Sequence, residues 1–182
     1  MKELLKRIYL KYIVGYGNPE NYWNKRWQIN CEVEKGSEKR RKQRFSTIKN
    51  LMQKNECENI LEVGCGKARF RELPGYLGLD FSLEALKKSG LQNFVHADIT
   101  KKIPLPDKNM DAVLSMWVLL HVPFDKIECA VAEISRVTKK LVVLYEPWSL
   151  KPKHSQPHCF SHNLPELFKK HFDGVIVFPE SK

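Results

Sequence analysis

The chain has 182 residues, 42% of them hydrophobic, and a formal net charge of +10 from 31 basic and 21 acidic side chains. That apolar content excludes an intrinsically disordered chain, and the length suits one domain with a single core rather than two. The five cysteines (31, 57, 65, 129 and 159) are scattered and form no Cys-x-x-Cys pair, which excludes a zinc ribbon or a disulfide framework and points to a reducing compartment. No apolar run approaches the ~20 residues of a membrane span, and the start of the chain lacks the uninterrupted apolar stretch of a secretory leader, so the cytoplasm is the expected location.

Taken in chain order, Met1 to Val14 places Leu4, Leu5, Ile8, Tyr9, Tyr12 and Ile13 on one helical face, with Lys2, Lys6, Arg7 and Lys11 elsewhere. Gly15 and Gly17 end that helix. Asn18-Pro19 opens a second, with proline at the first position where its missing N–H costs nothing. It carries Tyr22, Trp23, Arg26 and Trp27. Ser37 caps a third helix, whose Phe45, Ile48, Leu51 and Met52 form an apolar stripe. The pattern then changes. Strands are expected near 59–63, 76–80, 93–96, 110–115, 141–146 and 174–178, and helices near 67–73, 82–89, 125–138 and 163–171. Thr138-Lys139-Lys140 reads as the connection into the fifth strand. Such alternation predicts an α/β, Rossmann-like fold, with a mostly parallel sheet, helices on both faces and ligands at the carboxyl ends of the strands. Residues 1–57 would be a basic helical cap on a core spanning 58–182, all within one domain.

The segment Ile60-Leu61-Glu62-Val63-Gly64-Cys65-Gly66-Lys67-Ala68-Arg69 carries the most information. An apolar run reaches an acid and two glycines, then a short basic stretch. That is a strand feeding a tight turn at which a ligand can approach bare backbone. A dinucleotide site wants a third small residue where Arg69 stands, and a P-loop wants Ser or Thr where Ala68 stands. A loop framed by acids suits a cationic or neutral nucleoside better than a polyphosphate. Asp80 closes the next strand, the usual place for an acid that binds a ribose diol, although it also fits a helix N-cap. Asp98 stands at the end of the strand after that.

These residues resemble the class I S-adenosylmethionine-dependent methyltransferases, whose first motif is acid-x-Gly-x-Gly-x-Gly. Glu62, Gly64 and Gly66 match it, Cys65 lies between the glycines, and Ala68 replaces the third glycine. The resemblance implies S-adenosylmethionine as cofactor. It places Asp80, followed by Phe81, at the ribose and Asp98 with Ile99 at the adenine, and it gives Glu62 the methionine ammonium. Pro104 to Ser115 resembles the approach to the family's fourth strand together with that strand. Val118 to Pro123 and Ile134 to Val137 resemble the helix that follows, and Leu141 to Pro147 resembles strand five. Residues 58–178 are covered. Two features depart from the family: the glycine-rich turn before strand five is missing, and the chain ends soon after its sixth strand, so the usual seventh is absent or replaced by another element.

Methyl transfer from a sulfonium needs collinear reactants and exclusion of water more than it needs a catalytic side chain. Ser115, Met116 and Trp117 follow the fourth strand, where cofactor and acceptor should meet, with Trp117 as a candidate substrate contact. The stretch lacks the Asn/Asp-Pro-Pro-aromatic run of many enzymes that methylate amino nitrogens of nucleobases, and no Pro-Cys pair suggests pyrimidine-carbon chemistry. Candidate general bases are His121, His158 and His162. His154, His158, Cys159 and His162 fall within nine residues, but their spacing fits no standard finger and Pro157 interrupts any shared helical face. The segment is therefore read as the loop after strand five at the acceptor mouth, with no metal. The Tyr22 to Trp27 helix is read as a lid, with Trp23 screening the sulfonium and Arg26 pairing with the methionine carboxylate.

The charge is concentrated near the start of the chain and in Lys35, Lys39, Arg40, Arg41, Lys42 and Arg44. Such a field would draw in an anionic acceptor, suit phosphate contacts on RNA, or, through residues 1–14, hold the chain at a membrane surface. A small-molecule or glycan acceptor is the first expectation and nucleic acid the second. A regulatory protein that keeps only the cofactor fold is a non-enzymatic alternative.

Overall fold

The computed structural model describes residues 18–28, 38–156 and 158–178. The amphipathic segment 1–14 and the Ser37 cap lie outside them. Helix α1 (Pro19–Gln28) begins where the Asn18 side chain accepts a hydrogen bond from the Asn21 amide at 3.2 Å. Helix α2 (Glu38–Lys54) leads to strand β1 (Ile60–Val63). Then come β2 (Tyr76–Asp80), α3 (Leu83–Ser89), β3 (Phe94–His96), β4 (Met110–Met116) and a 3-10 turn (Leu119–His121). Helix α4 (Ile127–Val137), β5 (Thr138–Tyr145), β6 (Lys153–Gln156), β7 (Cys159–Ser161), α5 (Leu164–Lys169) and β8 (Val175–Phe178) complete the described chain.

Six strands form a parallel sheet in the order β3-β2-β1-β4-β5-β8. Ile60 of β1 aligns with Tyr76 on one side and Ala112 on the other, so the strand order reverses direction at β1. A crevice therefore opens beyond the carboxyl ends of β1 and β4, where this topology places ligands. All four residues of β1 and the first six of β4 are buried, as central parallel strands covered on both faces require. Leu61 and Val63 point to a core shared with Val131 and Ile134 of α4 and Phe168 of α5. Ile60, Ala112 and Leu114 point to the other face, which Ile48 and Met52 of α2 cover. The basic front thus supplies one wall of the core.

Three expectations are corrected. Residues 67–73 form no α-helix but a run of turns closed by i to i−3 hydrogen bonds, Ala68 to Cys65 at 2.8 Å and Leu73 to Phe70 at 2.9 Å. Gly66 and Ala68 both have positive φ (50° and 51°), which a right-handed helix cannot accommodate. Thr138 to Lys140 is the first part of β5 and no connection, for α4 passes straight into the strand and Thr138 donates back to the Ile134 carbonyl at 2.6 Å. The segment after β5 is an antiparallel hairpin, β6–β7, and no plain loop. At the far edge β8 pairs directly with β5, and among the described residues the sheet has no seventh strand.

Candidate active site

The corner after β1 is shaped by two glycines in the left-handed region. A Cβ on Gly64 (φ 62°) would stand 2.3 Å from Val118 Cγ2, and one on Gly66 (φ 50°) 2.8 Å from Trp27. Both positions therefore need glycine for the turn and for the close packing around it. Cys65 between them is buried and donates its amide to the Leu79 carbonyl at 2.9 Å, tying the corner to β2.

Three carboxylates border this corner. Asp80, at the end of β2, accepts from the Gly66 amide at 3.0 Å and the Ser82 amide at 2.9 Å. Ser82, not Asp80, is the N-cap of α3. Burial raises the Asp80 pKa, opposed by the amides of Ser82, Gly66 and Phe81. Asp98 turns its Oδ1 to the Thr100 amide and hydroxyl at 2.9 and 2.7 Å, a local Asx turn that leaves Oδ2 3.8 Å from Lys101. Glu62 is 5% exposed and accepts a hydrogen bond from the Tyr76 hydroxyl. Burial pushes its pKa up to about 8, the Tyr76 bond opposing the rise.

Glu62, Gly64, Cys65, Gly66, Asp80, Phe81, Asp98 and Ile99 all line one cavity of about 490 Å³. Its other end is lined by Met116, Trp117, His121 and Tyr145, and Trp23 and Trp27 of α1 border it as well. Trp117 holds a positive φ of 58° and donates its amide to the Tyr145 carbonyl at 3.1 Å. A tryptophan in that region is strained, so the surrounding loop dictates its place.

Other expected site residues stand apart. Ser115 is buried behind the cavity wall, its hydroxyl donating to Glu146 at 2.8 Å. Arg26 lies outside the lining, donates to the Tyr22 hydroxyl at 2.8 Å and stacks on Trp23 at 5.2 Å. Of the three candidate bases only His121 reaches the cavity. His162 is 1% exposed, packs against Phe124 and places Nε2 2.9 Å from the Val122 carbonyl, which makes it a core residue. His158 sits at the hairpin turn with its ring stacked on His121 at 5.5 Å. Burial lowers the His121 pKa to about 4, so the ring is neutral at physiological pH and a weak base.

Glu146 was not singled out from the sequence. It is 1% exposed, and one oxygen accepts from the Ser115 hydroxyl and from the amides of Val118 and Leu119 at 2.8, 2.8 and 3.2 Å. It thereby pins the segment from which Trp117 and His121 project, and burial raises its pKa to about 7. The only sequence signal was an acid at the end of strand five.

Helix α1 is tethered to α3. Asn24 Oδ1 accepts from the Ser82 hydroxyl at 2.7 Å and the Glu84 amide at 3.4 Å, while Lys88 donates to the carbonyls of Trp27 and Gln28. Trp23 meets His121 edge to face at 4.8 Å.

Comparison with known proteins bears on the family and the fold. A family described as a methyltransferase domain matches residues 61–145. No curated protein sequence matches the chain. Among solved structures, an S-adenosylmethionine-dependent methyltransferase from Archaeoglobus fulgidus is 18% identical, with 69% of this chain and 67% of that one covered and a TM-score of 0.50. The YcgJ protein of Bacillus subtilis is 19% identical over 69% of this chain and 68% of its own, with a TM-score of 0.54. An amino pentose methyltransferase from Micromonospora echinaspora, bound to S-adenosylmethionine, is 17% identical over 59% of this chain and 51% of its own, with a TM-score of 0.50. These likenesses concern the fold. Over residues 61–145 the chain matches the methyltransferase-domain family, and its fold is the one these S-adenosylmethionine-dependent methyltransferases share.

Proposed function

We propose that the chain is an S-adenosylmethionine-dependent methyltransferase whose acceptor is an oxygen or nitrogen of a small metabolite or sugar. One observation carries this reading: the glycine corner with its acids and the cluster of Met116, Trp117, His121 and Tyr145 border the same cavity, partly covered by α1. Its volume of about 490 Å³ is of the size that holds small molecules. The amino pentose activity of the Micromonospora protein lends support.

In this reading Asp80 holds the ribose hydroxyls, Asp98 and Ile99 the adenine, and Glu62 the methionine ammonium. The bound cofactor supplies a methyl group on a positively charged sulfur, a good leaving group. The chain's own work is to orient the acceptor and keep water out, through Trp117 and the Trp23 and Trp27 rings. His121, with its low basicity, forms part of the acceptor wall and takes no proton from a hydroxyl. An amine acceptor attacks through the lone pair of its unprotonated form, so the attack itself needs no strong base in the wall.

The test is turnover with labelled S-adenosylmethionine on panels of amino sugars, hydroxylated metabolites and transfer or ribosomal RNA. Product on a small acceptor is expected. Product on RNA alone would reject the reading.

A further inference from the structure

We propose that His121, His158 and Cys159 form a binding site for one divalent cation of the zinc class at the rim of the cavity. One ring nitrogen from each histidine and the cysteine sulfur lie within 4.8 Å of one another. They come from segments that the sequence keeps apart, the 3-10 turn after β4 and the start of β7 with the residue before it. Spacing within 154–162 alone could not reveal the set, because its third member lies in another element. No zinc finger is involved.

The tautomer suits ligation. His121 Nδ1 lies 2.8 Å from the His158 carbonyl oxygen. A carbonyl only accepts, so Nδ1 carries the proton and Nε2 is left with a lone pair. Metal-binding histidines use the same arrangement, with a carbonyl behind the ring to set its orientation. Two imidazoles and a thiolate are a donor set that favours zinc over magnesium or calcium. Three protein ligands leave a fourth position for water or another small ligand.

The donors are preassembled but not closed. Bonds of about 2.0–2.3 Å to a tetrahedral ion would set neighbouring donors about 3.3–3.8 Å apart. His158 and Cys159 must therefore approach His121 by about 1 Å, with the two rings, now 11° from parallel, tilting toward each other. The Arg26 charge acts on both His121 and Cys159. It opposes a bare dication but favours the thiolate, whose negative charge offsets part of the ion's. Burial keeps the Cys159 thiol protonated in the metal-free protein. Binding thus breaks the S–H bond, releases that proton to solvent and forms the sulfur–metal bond. His121 is the member that lines the cavity, so the ion would fasten the hairpin to the acceptor wall and hold the ring against which Trp23 packs.

The test is titration of the full chain with cobalt(II), under a reductant that does not bind metal. Expected are thiolate-to-cobalt charge-transfer absorption and tetrahedral visible bands that saturate at one equivalent and vanish when zinc is added. Cys159→Ser should remove the charge-transfer band, and His121→Ala should weaken binding more than about tenfold. Cys129→Ser, at an exposed position away from the cluster, should change nothing. Absence of the band in the wild-type chain, or a band that survives Cys159→Ser, would overturn the site. S-adenosylhomocysteine binding, measured separately on the same samples, keeps this result independent of the methyltransferase reading.

Discussion

Glu62 is buried beside the glycine corner with its pKa raised to about 8, so at neutral pH it is largely protonated before ligand arrives. If it receives the methionine ammonium, binding must drive off its proton. Calorimetry of S-adenosylhomocysteine near pH 7, in buffers of different ionisation enthalpy, should then show close to one proton released. Glu62→Gln should abolish that release and weaken binding. The same residue and Glu146, raised to about 7, also predict a stability trend. Their folded pKa values lie above the unfolded value of about 4.5, so the folded state holds more protons between those limits. Stability contributed by these groups is therefore lost as pH rises from about 4.5 toward 8, and Glu62→Gln with Glu146→Gln should flatten the decline in denaturant melts. At this scale the sequence is readable where backbone geometry imposes a residue type: Gly64 and Gly66 are needed for a positive φ and close packing. Glu146 is not, because its partners Ser115, Val118 and Leu119 lie 27 to 31 positions away and leave no local pattern. His162 misled for a related reason, since a histidine in a polar-looking stretch gives no sign that Phe124 and Val122 will enclose it.

Strands announced themselves because a parallel sheet buried on both faces needs continuous apolar runs, and β1, β4 and β5 supply them. The segment 67–73 misled because Lys67, Ala68 and Arg69 favour a helix, while Gly66 and Ala68 take positive φ under tertiary packing that local preference does not encode. Hairpin β6–β7 carries no clear alternation of apolar and polar residues, so its pairing was not visible. Helix α1 was legible from Asn18-Pro19, but its anchorage to α3 through Asn24 was not. That anchorage has a testable weight. Asn24→Ala removes the acceptor for the Ser82 hydroxyl, a loss of about 1 kcal/mol, and should raise the dissociation constant of S-adenosylhomocysteine roughly fivefold. At the start of β4, Asp111 accepts the Glu58 and Asn59 amides at 2.9 and 3.1 Å, which holds its carboxyl below its ordinary pKa. Asp111→Ala should lower unfolding stability by about 1–3 kcal/mol and leave cofactor affinity within twofold, as read by urea melts and calorimetry.

For the whole molecule, the strand order places a crevice where β1 meets β4, and the chain sets its glycine corner, its acids and Trp117 around that one opening. Alternation of element types was enough to foresee this topology. Met116, Trp117, His121 and Trp23 were each named from the sequence, but that they share one cavity wall with Tyr145 was not, because α1, the turn after β4 and the end of β5 meet only in the folded chain. In the proposed function this opening grips an adenosyl ligand through Asp80. Calorimetry of S-adenosylhomocysteine with the wild-type chain and with Asp80→Asn, each checked for unchanged circular dichroism, tests it most directly. Saturable one-to-one binding that weakens at least tenfold in the variant is expected; no binding, or equal affinity in both proteins, would contradict it.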